Sequence, residues 1–237
     1  FRIFARKDYD PVNNKLRYEF FPHKKTAGGK KLDTFKQLVV RNCGNDNGIA
    51  FIRDELFQTL AGLAGYKDYE AVRPAAVFIN GEYRGFYWLH EVYCDEYFED
   101  HYGKYNGTFE IIQWGELYDN PNIIGGDEQA RAEFEELYFK YSAMDLTDEE
   151  NFKSLCEVFD VNSYLDYFAL NLYIGNEDWP HNNYRVYRYY PAEGEKLREA
   201  PFDGKWRFLP HDMDFAFGTY GMRATTNFLG RVMNGKS

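Results

Sequence analysis

The chain has 237 residues, 44% of them hydrophobic and 28% charged, and a formal net charge of −10. Length and apolar content together exclude a disordered segment and allow a sizeable core. The acidity excludes a nucleic-acid backbone as partner, and a nucleotide could approach only with a metal or local Lys/Arg to offset it. Aromatic residues reach 19%, with 21 Tyr and 21 Phe. Most serve as packing, and some suit a groove for sugars, bases or peptides. No apolar run is long enough to span a bilayer. The three cysteines, Cys43, Cys94 and Cys156, form no C-x-x-C and no metal spacing, which argues against a disulfide framework. The chain opens at Phe1 inside a strand-like segment and reads as a trimmed piece of a longer protein.

Phe1 to Arg6 and Leu16 to Phe21 alternate like strands, with a turn at Asp10-Pro11 and Asn13-Asn14. The basic loop Lys24 to Lys31 lacks a phosphate-loop pattern and reads as solvated. Lys36 to Arg41 is a further strand, and Asn42 to Gly48 is a loop of turn residues. Phe51 to Ala64 reads as an amphipathic helix, with Ile52, Leu56, Leu60 and Leu63 on one face and Arg53, Asp54 and Gln58 elsewhere. Asn80-Gly81 joins strands Ala75 to Ile79 and Tyr83 to Leu89 in a tight hairpin. Phe109 to Gln113 is a short strand, and Asn120 to Gly126 is loop. Helices are expected over Asp127 to Tyr141, from a capping box at Thr147 to Glu150 as far as Phe159, and over Val161 to Ile174. Strands dominate the first half and helices the middle, an α+β pattern.

The stretch from Asn176 to Gly218 carries the candidate chemistry. Two alternating runs, Tyr184 to Tyr190 and Lys205 to Leu209, flank Pro191, Gly194, Pro201 and Gly204 and predict an antiparallel hairpin. Its entrance carries Asp178, His181, Asn182 and Asn183, and its exit carries Asp212 and Asp214, so the two groups are expected to converge. Asp178 and Asn183 have the D-x-x-x-x-N spacing of a kinase catalytic loop, in which the Asp serves the acceptor hydroxyl and the Asn holds a metal. Asp212 or Asp214 stands where the metal-binding Asp of a D-F-G segment would follow. These oxygen ligands suit Mg²⁺ or Mn²⁺. His181 reads as a polar loop residue or substrate contact, and His23, His90 and His101 stand at no informative spacing. Glu55 is placed to orient a phosphate-binding Lys, for which Lys7 and Lys36 are positional candidates; Glu91 lies where a hinge would contact adenine through its backbone.

Three groups of residues carry a family resemblance. They are Phe35 to Asn42 with Asp46 and Phe51 to Asp54; Val77 to Tyr87 with Glu91; and Gly175 to Asn183 with Lys205 to Phe208 and Asp212 to Gly218. With these segments the chain resembles the CotH kinase family, atypical relatives of the protein kinases named for a spore-coat protein. The resemblance covers nearly all of residues 1–237 as a single domain. It implies a strand-rich lobe over about 1–113 and a helical lobe over about 114–237 that carries the catalytic hairpin. It also implies ATP-dependent phosphate transfer, with Mg²⁺ or Mn²⁺, to hydroxyl groups of a protein substrate. Asp178 would be the catalytic acid, Asn183 a metal ligand, and Asp212 or Asp214 the ligand of the nucleotide's metal. A bacterial source and a spore-coat, cell-surface or periplasmic setting follow from the resemblance alone. The family's Gly/Ser loop and adjacent Lys are expected before Phe1, and further helices after Ser237. No motif encodes the oligomeric state. Two other readings stand beside the kinase: a non-catalytic binding module on the same fold, and a metal-dependent glycosyltransferase suggested by Asp212-x-Asp214, which requires a parallel α/β sheet.

Overall fold

The computed structural model describes residues 1–115, 122–180, 182–219, 221, 227, 229 and 230. His181 lies outside them. They form two compact units: Phe1–Tyr105 with the segment from Asp212, and Asn106–His211.

In the first unit, β1 (Arg2–Phe4), β2 (Leu16–Arg17), β3 (Thr34–Phe35) and β4 (Gln37–Arg41) precede a 3-10 turn at Gly44–Asp46. Then come α1 (Arg53–Leu63), β5 (Val72–Ile79), β6 (Glu82–His90) and α2 (Asp95–Tyr102). The main sheet has the order β1–β4–β6–β5, while β2 pairs with β3. The β5–β6 hairpin turns at Asn80 (φ 53°) and Gly81 (φ 83°), the two left-handed residues that match the twist of the flanking strands. The strand expected over Leu16 to Phe21 is cut to two residues. Phe21 instead leaves the strand to pack in a core with Leu32, Phe35, Leu38 and Ala71. The helix α2 was not expected; it buries Tyr97, Phe98 and His101.

The orientation of α1 corrects the sequence reading. Leu63 is 80% exposed and Leu56 38%, while Asp54, Glu55, Phe57, Gln58 and Ala61 are buried. Carboxylates go inside only with partners, and partners from other elements are present, as described below. The helix start is fixed by Asp46, which accepts the backbone N–H groups of Ala50, Ile52 and Arg53 at 3.1, 2.9 and 3.1 Å and also binds the Arg53 guanidinium. One buried carboxylate thus satisfies three backbone donors around the first turn and a cation. Asp46→Ala is expected to cost about 3 kcal/mol in urea unfolding; a loss below about 1 kcal/mol would contradict this role.

The second unit contains β7 (Thr108–Gly115), β8 (Asn122–Gly125), α3 (Glu128–Ser142), α4 (Glu149–Val158), α5 (Val161–Ile174), β9 (Tyr184–Tyr190) and β10 (Arg207–Leu209). Its sheet has the order β10–β9–β7–β8. The segment expected as loop over Asn120 to Gly126 supplies β8, which pairs with β7 from Ile112↔Gly125 to Gly115↔Asn122. The expected β9–β10 pairing is present in antiparallel register, Arg207↔Tyr187 to Leu209↔Arg185. Ile112, Ala130, Phe134, Val186 and Trp206 form the core beneath this sheet. The cap of α4 is Asp148, which accepts from Asn151 N at 3.0 Å, not the capping box expected at Thr147. Beside the core, an apolar recess of about 510 Å³ opens among Phe134, Tyr138, Phe152, Leu165 and Phe208. All strand pairings described are antiparallel, so the parallel sheet required by the glycosyltransferase reading is not found among the described strands. Among the described residues, no helix is long and apolar enough to cross a membrane.

Candidate active site

In the second unit the sequence places Asp178 just after α5, and a relay of asparagine amides holds it there. Gly175, left-handed at φ 60°, ends the helix. Asn171 Nδ2 donates to Tyr167 O at 2.9 Å, and Asn176 Nδ2 donates to Asn171 Oδ1 at 2.9 Å. The Asn176 Oδ1 accepts Asp178 N at 3.2 Å. Asp178 Oδ2 then accepts Asn183 Nδ2 at 2.6 Å and Asn182 Nδ2 at 3.0 Å. The two ends of the D-x-x-x-x-N spacing are therefore bonded to each other. Asn183 is itself left-handed, at φ 59°, a backbone state that Asn tolerates better than most residues.

In the first unit the segment Asp212-Met213-Asp214 is tied to β4 and α1. Arg41, the last residue of β4, donates from Nη1 to Asp54 Oδ2 at 2.6 Å and from Nη2 to Asp212 Oδ1 at 2.7 Å. Asp54 Oδ1 accepts Met213 N at 3.1 Å. Burial works against the Arg41 charge, but Asp54 and Asp212 hold its pKa above the usual arginine range. Asp214 Oδ2 accepts Asn45 N at 2.6 Å, whereas Asp214 Oδ1 is buried with no hydrogen-bond partner. Burial, and then the neighbouring Asp212 charge, push the Asp214 carboxyl up to about 6.

Glu55 Oε1 lies 3.0 Å from His90 Nε2, at the end of β6, and His90 Nδ1 is 3.6 Å from Glu70. Burial pulls the His90 pKa down, but the hydrogen bond to Glu55 and the nearby Glu70 and Asp54 carboxylates outweigh it and raise the value to about 9. The partner of Glu55 is thus a histidine from a neighbouring strand. The positional candidate Lys36 instead reaches Asn14 O at 3.4 Å. A pKa raised on folding gives stability that is complete below the unfolded value near 6.5 and is lost as pH rises through about 9. His90→Gln is expected to flatten this loss, measured as urea stability from pH 6 to 10; an unchanged slope would contradict the imidazolium bridge.

The Glu91 carboxylate is wholly internal. Its Oε2 accepts Lys24 Nζ at 3.0 Å and Ala71 N at 2.9 Å, and its Oε1 lies 2.7 Å from His101 Nε2. Lys24, read from sequence as part of a solvated loop, is buried, bonds Tyr97 OH at 3.0 Å, and stands 4.1 Å over the Tyr69 ring. The desolvation of an ammonium is offset here by carboxylate, hydroxyl and aromatic face together.

A family model described as CotH kinase protein matches residues 3–233. The chain belongs to the CotH kinase family. A search of curated proteins returns no match.

Membership in the CotH kinase family raises the question of which residues here suit a divalent cation. Among the described residues, the one grouping of three His, Cys, Asp or Glu side chains with potential ligand atoms within 4.8 Å of one another is Asp54, Glu55 and His90. Asp54 is engaged by Arg41 and Met213 N, and Glu55 Oε1 and His90 Nε2 are engaged by each other, while Glu55 Oε2 and His90 Nδ1 are buried with no hydrogen-bond partner. That grouping is an internal ion network. Asp214 also suits a cation, because one oxygen is held by a backbone amide and the other is buried with no hydrogen-bond partner. Asn183 has the same hard-oxygen chemistry in its amide carbonyl.

Sequence reading assigned no role to Arg41, Asp46, Asp54 or His90. Arg41, Asp46 and Asp54 do fall within the segments that carried the CotH resemblance. His90 and Lys24 gave no signal, because their partners lie 35 and 67 positions away.

Proposed function

We propose that the chain is a metal-dependent ATP:protein phosphotransferase of the Ser/Thr type, built on a kinase-like arrangement of a strand-rich and a helical lobe. The observation that carries this reading is Asp214: a buried carboxylate with Oδ2 on Asn45 N and Oδ1 without a partner, in a chain of the CotH kinase family. Asp214 would hold Mg²⁺ or Mn²⁺, which when bound neutralises phosphate charge on ATP. Asp178 takes the proton of the acceptor hydroxyl. Its Oδ2 is pinned by two amides, which fixes the carboxylate plane before substrate arrives. Glu91 would contribute to nucleotide binding through its backbone carbonyl, since its carboxylate is committed to Lys24 and His101 and its N–H to Ala71 O.

One observation favours a second reading, a non-catalytic module of the same family. Glu55, expected to orient a phosphate-binding Lys, is bonded to His90. Calorimetric titration of the protein with ATP, with and without Mn²⁺, separates the readings by residue. Metal-dependent binding is expected in the wild type and in Asp178→Ala, and is expected to disappear in Asp214→Ala. Equal binding with and without metal in all three proteins would contradict the assigned roles and support the binding module.

A further inference from the structure

We propose that Arg41 is a positioning residue for the metal-binding oxygen of Asp214, acting through Asp212 and Met213. This rests on the phosphotransfer reading above. One guanidinium joins the start of α1 to the Asp212 segment, with 2.6 Å to Asp54 and 2.7 Å to Asp212. Asp54 then takes the Met213 N–H at 3.1 Å. Residues 212 and 213 are thereby fixed by a side-chain bond and a backbone bond that share the same Arg–Asp pair. Asp212 is held at φ 54°, a left-handed state disfavoured for most L residues and one that the Arg41 bond helps to maintain.

Fixing residues 212 and 213 sets the direction in which Asp214 leaves the chain. Its carboxylate then meets a seat made by the loop before α1. The Asn45 N–H receives Oδ2 at 2.6 Å, and the seat exists because residue 44 is glycine. A Cβ on Gly44 would lie 2.4 Å from Asp214 Oδ2, at a backbone φ of 54°. The Arg41 clamp on one side and the Gly44–Asn45 seat on the other leave Oδ1 as the oxygen presented without a partner. Both terminal nitrogens of Arg41 are engaged by carboxylates, which distinguishes it from an arginine that contacts phosphate directly. Lysine would keep the charge but not the fork that spans two carboxylates.

The test is calorimetric binding of Mn²⁺ with a non-hydrolysable ATP analogue to the full chain, alongside thermal melting. Arg41→Lys and Asp212→Asn are expected to weaken Mn²⁺-dependent binding by about 10- to 100-fold, the usual range for residues that orient a metal ligand. Asp212→Asn keeps the shape and an acceptor at a partly exposed position, so it serves as the variant that folds. A merely structural role would lower the melting temperature while the folded fraction kept wild-type Mn²⁺ affinity. That result in both variants overturns the positioning role and leaves the phosphotransfer reading standing. A wild type that binds no Mn²⁺–nucleotide overturns the reading itself and the positioning role with it.

Discussion

Asp214→Asn is expected to lower metal-dependent phosphate transfer by on the order of 10²–10³-fold while the protein melts at or above the wild-type temperature. The two effects have one cause. Asp214 is buried, beside Asp212, with an oxygen that has no partner, and its carboxyl is pushed up to about 6 from an ordinary value of 3.8. A carboxyl raised on folding contributes stability that is complete below the unfolded value and is lost as pH rises through the folded one. At pH 7 the metal-free protein therefore holds an uncomfortable charge, at a cost of up to about 3 kcal/mol. Asparagine removes the charge and keeps an acceptor for Asn45 N. Strain of this kind at a functional residue is the usual origin of a trade between stability and activity. Melting without metal, together with transfer assays, checks it. A variant that loses activity by unfolding would contradict the account.

Glu91→Ala is expected to be the most destabilising single change in the first unit, at about 3–5 kcal/mol. It leaves the Lys24 ammonium buried with no carboxylate, and the Ala71 N–H and His101 without their acceptor. Replacing both charges, as in Lys24→Met with Glu91→Leu, is expected to recover much of the loss. The acid side gives an independent signature. Burial raises the Glu91 pKa, but Lys24 and His101 more than reverse this and hold it at about 2. For a depressed carboxyl the stabilisation is complete above the unfolded value of 4.5 and fades as pH falls through about 2. Urea unfolding at pH 7, 4 and 2 should show an acid-side loss on the order of 3 kcal/mol that is missing in Glu91→Gln. Equal acid sensitivity in both proteins would place the titrating group elsewhere.

What could be read from the sequence was local. Asn80-Gly81 specified its hairpin because both residues accept positive φ, and α5 was found over its full span because apolar residues and a glycine stop agree. The β9–β10 pairing followed from period and turn residues. The Asp178–Asn183 spacing led to a real bond, since a short loop closes on itself. What could not be read was long-range charge pairing. The inward face of α1 is set by Arg41 and His90, 13 residues and 35 residues from their partners Asp54 and Glu55. Without those cations as partners, polarity points the helix the other way. Lys24 reads as solvated for the same reason, as its carboxylate lies on the far side of the β5–β6 hairpin in sequence. The short β2 and the unexpected α2 are tertiary outcomes, decided by where Phe21 and Phe98 find a core.

The most direct test of the central claim is transfer of the γ-phosphate. The protein is incubated with γ-labelled ATP and Mn²⁺ or Mg²⁺, alone and with candidate protein substrates, and the labelled residues are identified by mass spectrometry. The expected result is metal-dependent label on Ser or Thr hydroxyls that Asp178→Ala reduces by about 10²–10⁴-fold. Absence of label on itself and on every substrate, together with no calorimetric binding of nucleotide, would contradict the phosphotransferase account.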